Sequence, residues 1–91
     1  MNEKLIDLEN ELISVFPARL QKDPYTKMQF KEYPYNDCID FVIKAFNGAM
    51  ITFRVTLINN KLYEIQSKYG QDSFKKIKDV IKYIEKVCGL K

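Results

Sequence analysis

The 91-residue chain has no histidine and no tryptophan, and only two cysteines, three glycines and three prolines. Without histidine there is no imidazole to act as a base near neutral pH, so Cys38 lacks the partner that nucleophilic thiol catalysis requires. Two thiols far apart in the chain, Cys38 and Cys88, cannot fill a tetrahedral zinc site and carry no disulfide-framework signature. Both are expected to be reduced and partly buried. A glycine-rich phosphate loop is missing, and the acids do not gather at ligand spacing. No apolar stretch approaches the roughly twenty residues that cross a bilayer, and acids punctuate residues 3–11 where a signal peptide would be apolar. The expectation is a cytoplasmic protein without cofactor, catalysis or membrane association.

What is present suits one folded domain over residues 1–91. A hydrophobic fraction of 46% with 30% charged residues is ordinary globular composition. A core of this size supports a net stability of roughly 5–14 kcal/mol. The net charge is +3, and it is unevenly spread. Residues 1–16 carry Glu3, Asp7, Glu9 and Glu11 against Lys4, whereas residues 72–91 are rich in lysine. The preference for lysine over arginine, with abundant isoleucine, asparagine and tyrosine, suggests an AT-rich bacterial, phage or plasmid genome.

Leu5, Leu8, Leu12 and Phe16 recur at three- and four-residue intervals and predict an amphipathic helix over residues 2–16, ended by Pro17. Residues 18–25 read as a connection. Alternation then predicts strands over residues 26–33, 38–46, 49–58 and 62–69, with a turn at 34–37. Asp72 or Ser73 is placed to cap a final helix whose stripe is Phe74, Ile77, Ile81, Ile84 and Cys88, with Gly89 as its C-cap. The expected fold is α+β: a four-stranded antiparallel meander with an N-terminal and a C-terminal helix packed on one face, in the order α-β-β-β-β-α.

Register follows from burial. A two-residue hairpin at Asn47-Gly48 would set Val42 opposite Phe53 and put Phe41 and Phe53 on opposite faces. A three-residue loop over 46–48, with Gly48 left-handed, instead pairs Ile43 with Ile51, Phe41 with Phe53 and Asp40 with Arg54. A second three-residue loop over 59–61 pairs Leu57 with Tyr63, Val55 with Ile65 and Arg54 with Gln66. The odd-numbered side chains of the middle strands then share the core.

The other sheet face displays Lys31, Tyr33, Asp40, Lys44, Arg54, Gln66 and Lys68 among others, a mixed and mildly basic surface. Asp40 and Glu64 form its carboxylate pair, with Arg54 between them, and a salt-bridged face accounts for them better than catalysis does. Glu64, Gln66 and Lys68 faintly resemble the acid-x-lysine strand of metal-dependent nucleases, with Gln66 where that pattern has lysine. The run Ser73-Phe74-Lys75-Lys76-Ile77-Lys78 ahead of an apolar helix is similar to the lysine-bearing second helix of double-stranded RNA-binding domains, whose element order is also near. This chain departs from them by an extra strand, an acidic first helix and the absence of a loop histidine.

The resulting expectation is a small non-catalytic binding module, a protein-binding regulator or inhibitor of the kind encoded by phages or mobile elements. Its expected contact residues are Tyr33 and Tyr35 on the first turn, where aromatics offer large area at small entropy loss, with Lys31, Lys44 and Arg54 beside them. The alternative is a nucleic-acid binder using the basic face and Lys75, Lys76 and Lys78, near a helix N-terminus where phosphate is attracted. A homodimer through an edge strand, residues 26–33 or 62–69, is the third arrangement.

Overall fold

A computed structural model describes residues 2–21, 30–33 and 37–90, with residues 31–33 described by backbone alone. Helix α1 spans Glu3–Val15, followed by strands β1 Leu20–Gln21, β2 Phe30–Tyr33, β3 Cys38–Lys44, β4 Met50–Ile58, β5 Leu62–Ser67 and β6 Gly70–Phe74, and finally helix α2 Ile77–Cys88. Asn2 caps α1 by accepting the Lys4 amide at 2.8 Å. Gly89 ends α2 in a left-handed conformation, φ 69°, from which its own amide and that of Leu90 reach the last carbonyls of the helix.

The strands form one antiparallel meander, with β3, β4, β5 and β6 adjacent in chain order. Beyond β3 lies an edge row made of two pieces. Gln21 stands opposite Val42 and Phe30 opposite Phe41, so β1 and β2 occupy successive positions along the same strand. The expected register is the observed one: Phe41 opposite Phe53 and Asp40 opposite Arg54, then Val55 opposite Ile65 and Leu57 opposite Tyr63. Gly48 has φ 87°, and Asn59 and Asn60 have φ 52° and 58°, the left-handed geometry that three-residue loops demand and that asparagine tolerates.

With that parity, Ile39, Phe41, Ile43, Ile51, Phe53, Val55, Leu57, Tyr63 and Ile65 all face one side and are buried. They join Leu5, Leu8 and Leu12 of α1 and Val80, Ile81 and Ile84 of α2 in one core, so both helices cover the same sheet face. Three phenylalanines form a cross-strand row inside it. Phe30 meets Phe41 edge-on at 5.8 Å between ring centroids, and Phe41 stacks on Phe53 at 5.7 Å. The Tyr63 hydroxyl donates to the Lys4 carbonyl at 3.3 Å and ties β5 to α1.

The structure corrects the sequence-based expectation at the two ends of the sheet. Residues 70–74, with Asp72 or Ser73 expected to cap the last helix and Phe74 to open its stripe, form β6: Ser67 stands opposite Gly70 across the Lys68-Tyr69 turn, and Tyr63 stands opposite Phe74. Asp72 and Ser73 are therefore strand residues and cap nothing. The N-cap of α2 is Lys76, which makes no side-chain cap hydrogen bond. Gln71, Asp72 and Ser73 are weak strand formers, and an Asp-Ser pair ahead of an apolar helix imitates a cap. Only Phe74 of β6 packs against the core, its ring 5.6 Å from that of Tyr83. The connection expected over 18–25 contains the fragment β1, while residues 22–29 and 34–36, including Met28 and Tyr35, lie outside the described residues.

Phe53 lies at the centre of the core and is fully buried, whereas its neighbour Thr52 is exposed on the other face. Replacement of Phe53 by alanine is expected to cost about 3–5 kcal/mol in urea denaturation, and Thr52→Ala to change stability by no more than about 0.5 kcal/mol.

Candidate functional site

The open sheet face carries a cross-strand polar row. Lys31 stands opposite Asp40, Asp40 opposite Arg54, Arg54 opposite Gln66 and Gln66 opposite Gln71. Arg54 grips Asp40 with two hydrogen bonds, Nε to Oδ1 at 2.7 Å and Nη2 to Oδ2 at 3.0 Å, the forked geometry of a guanidinium on a carboxylate. Gln66 donates to Glu64 at 3.1 Å and to Gln71 at 3.3 Å. The row is a hydrogen-bonded surface lattice whose arginine is already engaged by its neighbour.

Of the five residues expected to form a contact site, the four described ones are spread along the sheet. Tyr33 stands opposite Cys38 at the start of β3, whereas Lys44 ends that strand, about 20 Å away at 3.3 Å per residue. Lys31 and Arg54 flank Asp40 in between, and Tyr35 lies outside the described residues. The lysine trio is divided as well. Lys75 and Lys76 belong to the link between β6 and α2, and only Lys78 lies within the helix. The run similar to double-stranded RNA-binding domains therefore spans a strand end, a connection and a helix start. Strand β5 is also no edge, because β6 covers it; the described edges of the sheet are the β1/β2 row and β6.

A different place gathers the side chains that burial leaves over. Among the described residues the large apolar side chains that remain exposed fall into two groups: Ile6, Ile13 and Val15 on α1, and Phe46, Met50 and Tyr69 at the turns. Phe46 is 77% exposed, Tyr69 58% and Met50 53%. The β3–β4 loop, the β5–β6 turn and the end of α2 meet at this end of the sheet, and Phe46 and Tyr69 wall a small groove floored by Ala45, Ile51 and Val87.

Local chemistry holds the groove in shape. The Phe46 amide donates to the Cys88 carbonyl at 2.9 Å, pinning the hairpin loop to the helix terminus, and Asn47 accepts the Ala49 amide at 3.0 Å inside the loop. The Arg19 guanidinium donates to the Lys44 and Ala45 carbonyls at 3.0 and 3.1 Å, which brings a cation to the same strand end. Lys44 stands opposite Met50, and Lys68 Nζ lies 5.2 Å from the Tyr69 ring centroid, a cation-π distance. Phe46 and Tyr69 thus line an apolar groove, with the Arg19 guanidinium at the same strand end and the Lys68 ammonium against the Tyr69 ring. The readable signal for it was two aromatics inside tight turns, where no side chain reaches the core.

Among the described residues no three acids, cysteines or histidines gather as metal ligands, and no helix is long and apolar enough to cross a membrane. Burial pushes the Cys88 thiol up to about 11 against a modest lowering by Arg19, the opposite of nucleophile activation. The chain matches no protein-family model, no curated protein and no solved structure.

The buried thiol predicts how stability responds to alkali. The folded-state pKa of Cys88 is raised, so the unfolded chain loses this proton first, and stability falls as pH rises from about 9 to about 11. Tyr63 and Tyr83 act in the same sense, raised by burial and then by Asp7 and Asp72 respectively. Urea midpoints should decline across that window, and Cys88→Ala should flatten part of the decline relative to its own value at pH 8.

Proposed function

We propose that this protein is a non-catalytic binding module, a regulator or inhibitor that docks on a protein partner through the Phe46–Tyr69 end of the sheet. The observation that supports this reading is the exposure of Phe46 and Tyr69, which line one groove at the end of the sheet. Exposed apolar groups gathered in one patch mark interaction surfaces, whereas scattered ones need no explanation. Aromatic anchors on a pre-formed frame lose little entropy on binding, and Arg19 and Lys68 nearby favour encounter with an acidic surface. A cytoplasmic setting belongs to the same proposal, since both thiols are buried and free.

The alternative, a nucleic-acid interface, draws support from Lys78, Lys82 and Lys86 on the exposed side of α2. It lacks the stacking aromatics that single strands use: the sheet centre on the open face holds Asp40, Arg54 and Gln66.

Affinity capture from the native host with wild-type protein, a Phe46→Ala/Tyr69→Ala variant and a Tyr33→Ala/Tyr35→Ala variant separates the surfaces. The partner retained by wild type should be lost from the Phe46/Tyr69 variant and kept by the other, with the melting temperature of the Phe46/Tyr69 variant within about 4 °C of wild type. A partner that survives loss of Phe46 and Tyr69 contradicts the assignment.

A further inference from the structure

The other group of exposed apolar side chains lies on α1, where Ile6 and Ile13 are 39% and 44% exposed. The same helix carries a row of acids on a different side. Glu3, Asp7 and Glu11 recur every four residues, so they form one stripe with about 6 Å between successive members, and all three are exposed. Helix α2 carries the complementary feature at the same spacing: Lys78, Lys82 and Lys86, all exposed on the side away from its buried Val80, Ile81 and Ile84. Among the described residues none of the six forms an ion pair within the chain. Like charges four apart on a helix repel mildly, so each row gains from an opposite row that its own chain does not supply.

The two helices lie in one layer and point the same way. Asn2, which caps α1, donates to Asn60 of the β4–β5 loop at 2.7 Å, and α1 ends toward Leu20, opposite Ile43. Helix α2 begins just after Phe74, opposite Tyr63 near that same loop, and ends where Cys88 meets Phe46. Lys4 and Phe74 both neighbour Tyr63, so the acidic and basic rows start at similar heights.

We propose that the outer face of the helix layer is a self-association surface on which a second copy of this chain docks about a two-fold axis parallel to the helices. Such an axis lays α1 on the partner copy's α2 in the same direction, acids on lysines, twice over. A two-fold perpendicular to the helices would set acid on acid and lysine on lysine, so charge selects the first. The contact is self-complementary and closed, the usual form of a homodimer. The lysine stems add apolar cover to the contact. Both Phe46 grooves then open at the same end of the dimer, giving two docking patches side by side. This inference does not depend on what those patches bind.

Sedimentation equilibrium of the full chain at low salt should report twice the 10.8 kDa chain mass, shifting toward monomer as salt screens the rows. Asp7→Lys and Lys82→Glu each reverse one charge and, by symmetry, spoil two pairs, so each should weaken self-association about tenfold or more. An equimolar mixture of the two variants should dimerise again, as should the single chain carrying both changes, and this rescue excludes misfolding as the cause of loss. A monomer at low salt overturns the proposal, as does a dimer indifferent to both reversals, which would place the contact at a sheet edge. A monomer whose lysine row instead shifts DNA or RNA in a mobility assay overturns it in favour of a nucleic-acid interface.

Discussion

Everything in this structure depends on the parity of its strands, which two three-residue loops set. Because side chains alternate, a slip of one residue between β3 and β4 would put Phe41 and Phe53 on opposite faces and carry Asp40 or Arg54 into the core. The positive φ values at Gly48, Asn59 and Asn60 are the local conformations that make the odd-residue pairing reachable. Burial and turn chemistry thus specify the same register independently, the agreement between levels that marks a foldable sequence.

Once parity is set, the surfaces follow. The core face takes both helices, and the open face is left with a polar row in which Arg54 is held by Asp40 and Gln66 bridges Glu64 and Gln71. Such a lattice is solvated and satisfied, and it offers little unspent interaction. The unspent groups lie at two other places. One is the end of the sheet, where turn geometry strands Phe46 and Tyr69 outside the core. The other is the outer side of the helix layer, where rows of unlike charge sit on separate helices of one chain.

The middle of the fold was legible in the sequence because two strong signals coincide there: strict alternation over residues 38–46 and 49–58, and loop residues that admit left-handed backbone. The margins were less so. Strand β6 is made of Gln71, Asp72 and Ser73, whose exposed positions carry no alternation to read, and Asp72 and Ser73 resemble a helix cap; its existence follows from the Lys68-Tyr69 turn that folds the chain back on β5. A helix starting at residues 72–73 would gather Lys75, Lys76 and Lys78 into one turn; the observed start at Ile77 leaves Lys78, Lys82 and Lys86 as the row of the helix. The proposed contact site was the least legible part. The argument from aromatics on turns applies to Tyr33 and Tyr35 and equally to Phe46 and Tyr69, and the convergence of the latter two emerges only when both turns are placed at one end of the sheet.

The most direct test of this account is the strand register measured in solution by cross-strand nuclear Overhauser effects. The account predicts backbone contacts linking residue 40 with 54 and residue 41 with 53, together with ring contacts between Phe41 and Phe53. Contacts linking Val42 with Phe53 instead, the pairing that a two-residue hairpin would impose, would exchange the faces of β3 and contradict the assignment of core, open face and docking surfaces alike.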